Sequence, residues 1–226
     1  ITGNMTVSNH GNKYTGRAYT TGTVNIINPL RHGDVLRASG QSSGSKMNYA
    51  SLSYETLLNG QGVRLGGAYS EVSYALGEPL ESLNGNSQLA SLWVKHPLLL
   101  SRDANLYARL QFDSLQLRDH IDDIAVKIDR SLENWTLSLT GDARDEFLSG
   151  GINTWSLGWT VGRVSFDNAD AQVTDAATAG TQGRYSKWNA SLTRLQRLSP
   201  KSDLYLAFNG QWANGNLDAS KKMSVG

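Results

Sequence analysis

Four groups of residues in this 226-residue sequence have types that could do chemistry. Ser43-Gly44-Ser45-Lys46 fits the S-x-x-K spacing, in which a Lys amine can relieve a Ser nucleophile of its proton. That reaction needs the Ser to open a helix beside further Ser and Lys motifs. Here it lies in a Gly/Ser stretch between two strand-like segments, so catalysis is not expected of it. Gly60-x-Gly62 with Gly66 and Gly67 has the glycine density of a phosphate-cradling loop, yet no helical segment follows to offer its N-terminal dipole, and a tight turn is expected. His10, His32, His96 and His120 are scattered without metal-ligand spacing and are expected as solvated loop residues. Asp119, Asp122 and Asp123 beside His120 form the one acidic cluster. It lacks the Gly and the spaced oxygens of a Ca²⁺ loop and reads as a solvated acidic loop. No catalytic residue, metal site or cofactor is expected.

Composition narrows the partners. Lys and Arg number 21 against 20 Asp and Glu, spread along the whole chain, so the basic stripe of a nucleic-acid binder is missing and no nucleic acid is expected. The absence of Cys removes disulfides, thiolate metal sites and cysteine nucleophiles. No apolar run approaches the roughly 18 to 20 residues of a spanning helix. A membrane could be crossed only by strands.

Two-residue alternation recurs in segment after segment, which marks strands with one apolar and one polar face. In Asp203 to Ala213, Leu204, Leu206, Phe208, Gly210 and Trp212 share one phase, and Asp203, Tyr205, Asn209 and Gln211 the other. Trp135, Leu137, Leu139, Gly141 and Ala143 alternate with Thr136, Ser138, Thr140, Asp142 and Arg144. Leu106, Ala108, Leu110 and Phe112 alternate with Tyr107, Arg109, Gln111 and Asp113. The pattern predicts about eleven strands, near 2–8, 16–27, 34–42, 47–57, 63–74, 87–96, 104–116, 132–145, 151–166, 185–196 and 203–213. Most are longer than the roughly 5 to 6 residues of globular strands and suit the roughly 9 to 11 residues of a tilted membrane strand.

The connections alternate too. Tight turns are expected at Asn28 to Gly33, Asn59 to Gly62, Leu100 to Asp103, Leu148 to Gly150 and Ser199 to Ser202, and extended loops at Gly77 to Ser87, His120 to Leu132 and Asp167 to Arg184. Outer-membrane barrels divide periplasmic turns from external loops in this way. Trp135, Trp188 and Trp212 fall near strand ends that border long loops, and Trp155 lies near a tight turn, as membrane-interface aromatics in two belts would. An odd strand count cannot close a barrel, and open edges in lipid leave backbone groups without partners. The chain therefore reads as part of a larger barrel, and its first residues already read as strand, without a preceding leader.

The opening Val7-Ser8-Asn9-His10-Gly11-Asn12-Lys13-Tyr14-Thr15-Gly16-Arg17 resembles the first hairpin of the two-partner secretion transporter (TpsB), or haemolysin-activator, family. Asn28-Pro29-Leu30-x-x-Gly33-Asp34 resembles the family's first periplasmic turn. The similarity continues in His96-Pro97-Leu98-Leu99, in Ser101-Arg102-x-Ala104-Asn105-Leu106-Tyr107 and in Leu117-Arg118-Asp119. Asn216-Leu217-Asp218-x-Ser220-Lys221-Lys222-Met223-Ser224-Val225-Gly226 is similar to the entry of a long loop that carries a lumen Arg motif. The resemblance implies an all-β fold: residues 1–226 would supply about eleven strands of an antiparallel transmembrane barrel of about sixteen strands. POTRA domains, the plug helix, the lumen Arg motif and the last strands are expected outside this chain. It also implies the outer membrane of a Gram-negative bacterium, with outer-membrane lipid and lipopolysaccharide around the barrel. The implied activity is passage of an unfolded TpsA-type exoprotein to the cell surface without nucleotide hydrolysis.

If the apolar phase faces lipid, Tyr107, Arg109, Gln111, Asp113, Thr136, Ser138, Thr140, Asp142, Arg144, Tyr205, Asn209 and Gln211 are expected to line the lumen. A polar wall of mixed sign suits many weak, exchangeable hydrogen bonds to a passing chain, and the same residues could pack against a plug. A passive porin-like channel or an autotransporter barrel would share the alternation, the loop asymmetry and the Trp positions. A soluble carbohydrate-binding β-sandwich would instead predict shorter strands in two sheets.

Overall fold

The computed structural model describes residues 1–44, 46–124 and 126–223. Ser45 of the S-x-x-K match and the terminal Ser224-Val225-Gly226 lie outside the described residues. The alternating segments form one sheet of eleven antiparallel strands, each paired with its neighbours in chain order. They are β1 (Thr2–Ser8), β2 (Tyr19–Ile27), β3 (Val35–Ser42), β4 (Met47–Leu57), β5 (Arg64–Ala75), β6 (Leu83–Leu100), β7 (Ala104–Ile121), β8 (Val126–Asp145), β9 (Gly151–Phe166), β10 (Gly183–Ser199) and β11 (Ser202–Ala213). A helix, α1 (Ala169–Ala177), lies between β9 and β10. A single sheet replaces the two that a sandwich would need.

The register shows why these strands suit a membrane. Leu65, Val94, Leu110, Leu137, Trp159, Trp188 and Trp212 are successive cross-strand partners, so an unbroken apolar row crosses β5 to β11. Every member is more than 40% exposed, the reverse of a globular core. Above that row the same face carries Glu133, Arg163 and Arg184, and below it Ala143, Asn153 and Arg194, each set aligned across β8, β9 and β10. Ten residues separate the two polar boundaries on β9 and on β10. At about 3.3 Å per residue that is about 33 Å along the strand, or about 23 Å across a bilayer at a tilt near 45°. This matches the roughly 25 Å apolar band of an outer-membrane barrel.

The turns at the lower boundary are tightly tied. In the Asn28 to Asp34 turn, Gly33 has φ +87°, and its N–H donates to Asn28 Oδ1 at 2.7 Å. Asp34 is fully buried, and its Oδ2 accepts from Leu30 N at 3.2 Å, Arg31 N at 2.9 Å and the Tyr54 hydroxyl at 2.6 Å. Burial pushes this carboxyl up, but the Tyr54 hydroxyl and the backbone N–H groups outweigh it and hold Asp34 below the ordinary carboxylate range. Asn59 closes the next turn, its Oδ1 accepting from Gln61 N and Val63 N, with Gly62 at φ +84°. The glycines at 60 and 62 thus serve a turn.

Four expectations are corrected, three of them for connections at the upper end. His120 to Leu132 is not an extended loop: β7 runs to Ile121 and β8 starts at Val126, the two pairing there. Inward-facing Leu115 and Leu132 pack together and Arg130 pairs with Asp119, which gives both strands a reason to continue beyond the membrane band. His96 and His120 accordingly stand in β6 and β7 rather than in loops. The Gly77 to Ser87 connection shortens because β6 begins at Leu83. Asp167 to Arg184 contains α1, capped by Asn168, whose side-chain oxygen accepts from Ala171 N at 3.0 Å.

Candidate functional site: the inward polar wall

Partners across an antiparallel ladder share a face, so the register places each sequence-selected side chain. Tyr107, Thr140, Ser156, Ser191 and Asn209 form one row, and Arg109, Ser138, Gly158, Asn189 and Gln211 the next. Gln111, Thr136, Thr160 and Lys187 follow, and then Asp113, Asn134, Gly162 and Tyr185. Asp142 pairs with Thr154, and Arg144 pairs with Ile152, which continues to Leu195 and Tyr205. All twelve expected positions therefore stand on one face of one sheet. Trp135, Trp155, Trp188 and Trp212 stand on the other.

The polar groups of this face bond mainly sideways. Thr136 and Thr160 hydroxyls lie 2.9 Å apart, Ser156 and Ser191 lie 2.7 Å apart, and the Thr154 and Thr193 hydroxyls also pair. Asp113 accepts from Ser91 Oγ and Gln111 Nε2, each at 2.6 Å, and from Asn134 Nδ2 at 3.1 Å. Asn105 Nδ2 donates to Asp142 Oδ2 at 3.1 Å. The Thr136–Thr160, Ser156–Ser191 and Thr154–Thr193 hydroxyls thus meet one another, while the Ser91 hydroxyl meets the Asp113 carboxylate. Among the described residues no group of three His, Asp or Glu side chains could hold a metal ion. Ser43 of the S-x-x-K match donates its hydroxyl to the Thr15 carbonyl, and Asp119 is committed to the Tyr74 hydroxyl and Arg130.

Toward the upper end the inward face changes character. Leu115, Leu132, Val164, Phe166 and Tyr185 form a buried apolar cluster with Ala171 of α1 and Leu217 of the segment after β11. That segment folds back across the wall. Lys187 Nζ and Gln211 Nε2 donate to the Lys221 carbonyl at 2.8 and 3.0 Å, and Arg130 Nε lies 2.9 Å from Asp218 Oδ2. In the α1 loop, buried Asp175 accepts from Thr181 N and Thr181 Oγ1 at 2.7 Å and from Gln182 N at 2.8 Å. Burial pushes the Asp175 carboxyl up, but these donors outweigh it and leave it below the ordinary range. The face is thus a polar wall with an apolar, partly covered upper end.

A family model of the haemolysin secretion/activation proteins ShlB/FhaC/HecB matches residues 1–226. The chain belongs to this family. The heme/hemopexin transporter protein HuxB of Haemophilus influenzae is 25% identical over 225 residues, covering 98% of this chain. The chain spans about 40% of the length of that relative. Among solved structures, CdiB from Escherichia coli matches 95% of this chain and 41% of its own at a TM-score of 0.76 and 20% identity. BamA from Haemophilus ducreyi matches 99% of this chain and 43% of its own at a TM-score of 0.56 and 16% identity. The ShlB/FhaC/HecB chain is an outer-membrane β-barrel protein of Gram-negative bacteria, and the fold seen here is a partial barrel.

The apolar end of the wall in this ShlB/FhaC/HecB member escaped the sequence reading. Leu132 and Val164 share their phase with Thr136 and Thr160, so alternation alone assigns them to a polar face. Trp159 was also missed among the outward aromatics. Its signal was present, since it shares its phase with Trp155 and Leu157, and in the fold its ring stacks on Trp188 with centroids 6.0 Å apart.

Proposed function

We propose that this face lines the aqueous lumen of a pore through which an unfolded exoprotein passes from the periplasm to the cell surface, as the two-partner secretion reading implies. The observation that carries it is the register: polar rows run across β7 to β11 on the inward face while the opposite face presents an exposed apolar band. Laterally paired Ser and Thr hydroxyls wet the wall without offering one tight site, so a moving chain exchanges weak bonds rather than stalling. Family membership supports export over passive diffusion. No catalytic chemistry and no nucleic-acid partner is assigned to the chain.

The remaining barrel strands and periplasmic POTRA domains belong to the parent protein in this reading, and a TpsA-type exoprotein is its cargo. The free edges of β1 and β11 then pair with those strands, since lipid tolerates no open edge. Trp135 and Trp155, each two residues inside a polar boundary at Glu133 and Asn153, anchor the barrel at the two interfaces with lipid and lipopolysaccharide, whereas Trp188 and Trp212, expected there from the sequence, share the mid-band row of Leu137 with Trp159. The test is export in a strain lacking the full-length protein. The exoprotein encoded beside it should accumulate in the periplasm, and complementation should restore it to the surface. Undiminished surface delivery in the deletion strain would leave a passive channel as the better account.

A further inference from the structure

Arg64, Lys95 and Arg109 are direct cross-strand partners on β5, β6 and β7, so three cations stand in one row on the inward face. Like charges directly opposite one another repel, and a sheet places an acid between them where nothing else offsets the repulsion. Here Arg64 has Glu55, at 2.5 Å. Neither Lys95 nor Arg109 has a carboxylate within salt-bridge distance among the described residues. Each lies instead on an aromatic face: Lys95 Nζ is 4.2 Å from the Tyr107 ring centre, and the Arg109 guanidinium is 4.6 Å from that of Trp93. A cation–π contact steadies a charge without using its N–H groups. The Arg109 Nε is buried and lacks a partner.

The support beneath the row is rigid. Trp93 is held by its indole N–H, which donates to Glu55 Oε2 at 2.9 Å, and it lies flat against Gly66, where any Cβ would collide with the ring. Lys95 is five residues from the end of β6 and Arg109 five from the start of β7, so the row stands about 16 Å along the strands from the tight turn that joins them. A chain entering from the turn side meets it early.

We infer that Lys95 and Arg109, aligned with Arg64, form an anion-binding row in the lumen whose ligand is a carboxylate, supplied by acidic side chains of a polypeptide in transit or by small free anions. This rests on the inward face being the lumen. The site engages a charge loosely and in water, so it delays acidic segments without trapping them.

The test needs neither conductance nor export, so its failure is separate from failure of the pore reading. Trp93 fluorescence in the detergent-solubilised full-length protein, isolated as the difference from Trp93→Phe, is quenched with iodide and with neutral acrylamide. Iodide should quench at least threefold more strongly than acrylamide. Lys95→Gln combined with Arg109→Gln should remove that excess, whereas Lys95→Arg combined with Arg109→Lys, which keeps both charges, should retain it. Hexaglutamate protecting Trp93 at tenfold lower concentration than free glutamate assigns the row to polypeptide carboxylates. Equal protection per carboxylate assigns it to small anions. An iodide excess unchanged by the double substitution would overturn the proposal.

Discussion

Arg130, on β8, places its Nε 2.9 Å from Asp218 Oδ2, in the segment beyond β11, and so ties that segment across the inward face. Its Nη1 meets Asp119 Oδ2 on β7 at 2.8 Å. One guanidinium therefore fastens two strands and the returning chain, next to the apolar cluster that Leu217 joins.

Removing one partner of so enclosed a pair leaves a charge without compensation, which costs about 3 to 5 kcal/mol in buried settings. Arg130→Gln in the full-length protein should therefore free residues 214–223. Their amide exchange should accelerate by at least tenfold while the β4 to β6 ladder keeps its protection. Unchanged exchange in 214–223 would show that Leu217 and the Lys187 contact hold the segment without the ion pair.

The α1 loop should respond to acid through Asp175. Its carboxyl is held below the ordinary aspartate value of 3.8 by Thr181 and Gln182, so its folded form binds a proton less readily than its unfolded form. The stability it contributes is full above pH 3.8 and is lost as pH falls below that value. Amide exchange at Thr181 and Gln182, corrected for intrinsic rates, should rise on acidification through that window, and Asp175→Asn should show fast exchange already at neutral pH.

On the outward face, Leu137→Arg puts a charge into the middle of the apolar row, at a cost of about 2 to 4 kcal/mol near the bilayer midplane. Assembly of the full-length protein into the outer membrane, read as heat-modifiable migration, should fall sharply. Thr140→Arg, on the polar face opposite Tyr107 and Ser156, should assemble normally.

Much of this arrangement was legible in the alternation. The phases of Leu204 to Trp212 and of Trp135 to Ala143 identify the outward face directly, because each strand carries its own pattern and register merely aligns them. The motif around Asn28 and Asp34 was legible as a turn, and its chemistry became clear once Tyr54 was seen to close on Asp34. Other features depend on what lies opposite rather than on neighbours in sequence. Leu132 is inward and apolar because α1 and Leu217 contribute to its cluster from 37 residues or more down the chain. The row of Arg64, Lys95 and Arg109 exists only through the pairing of three strands. The nine residues of α1 are short and only weakly amphipathic, so they gave little helical signal against the surrounding Ala, Thr and Asp.

The central claim is that one face of this sheet meets water and the other lipid, and Leu137 and Ser138 test it as adjacent residues. The chain has no Cys, so Leu137→Cys and Ser138→Cys each introduce a single thiol into it. Labelling the full-length protein in intact outer membranes with a charged, membrane-impermeant maleimide should modify the thiol at 138 at least tenfold faster than that at 137. Equal rates, or faster labelling at 137, would contradict an aqueous lumen on the polar face.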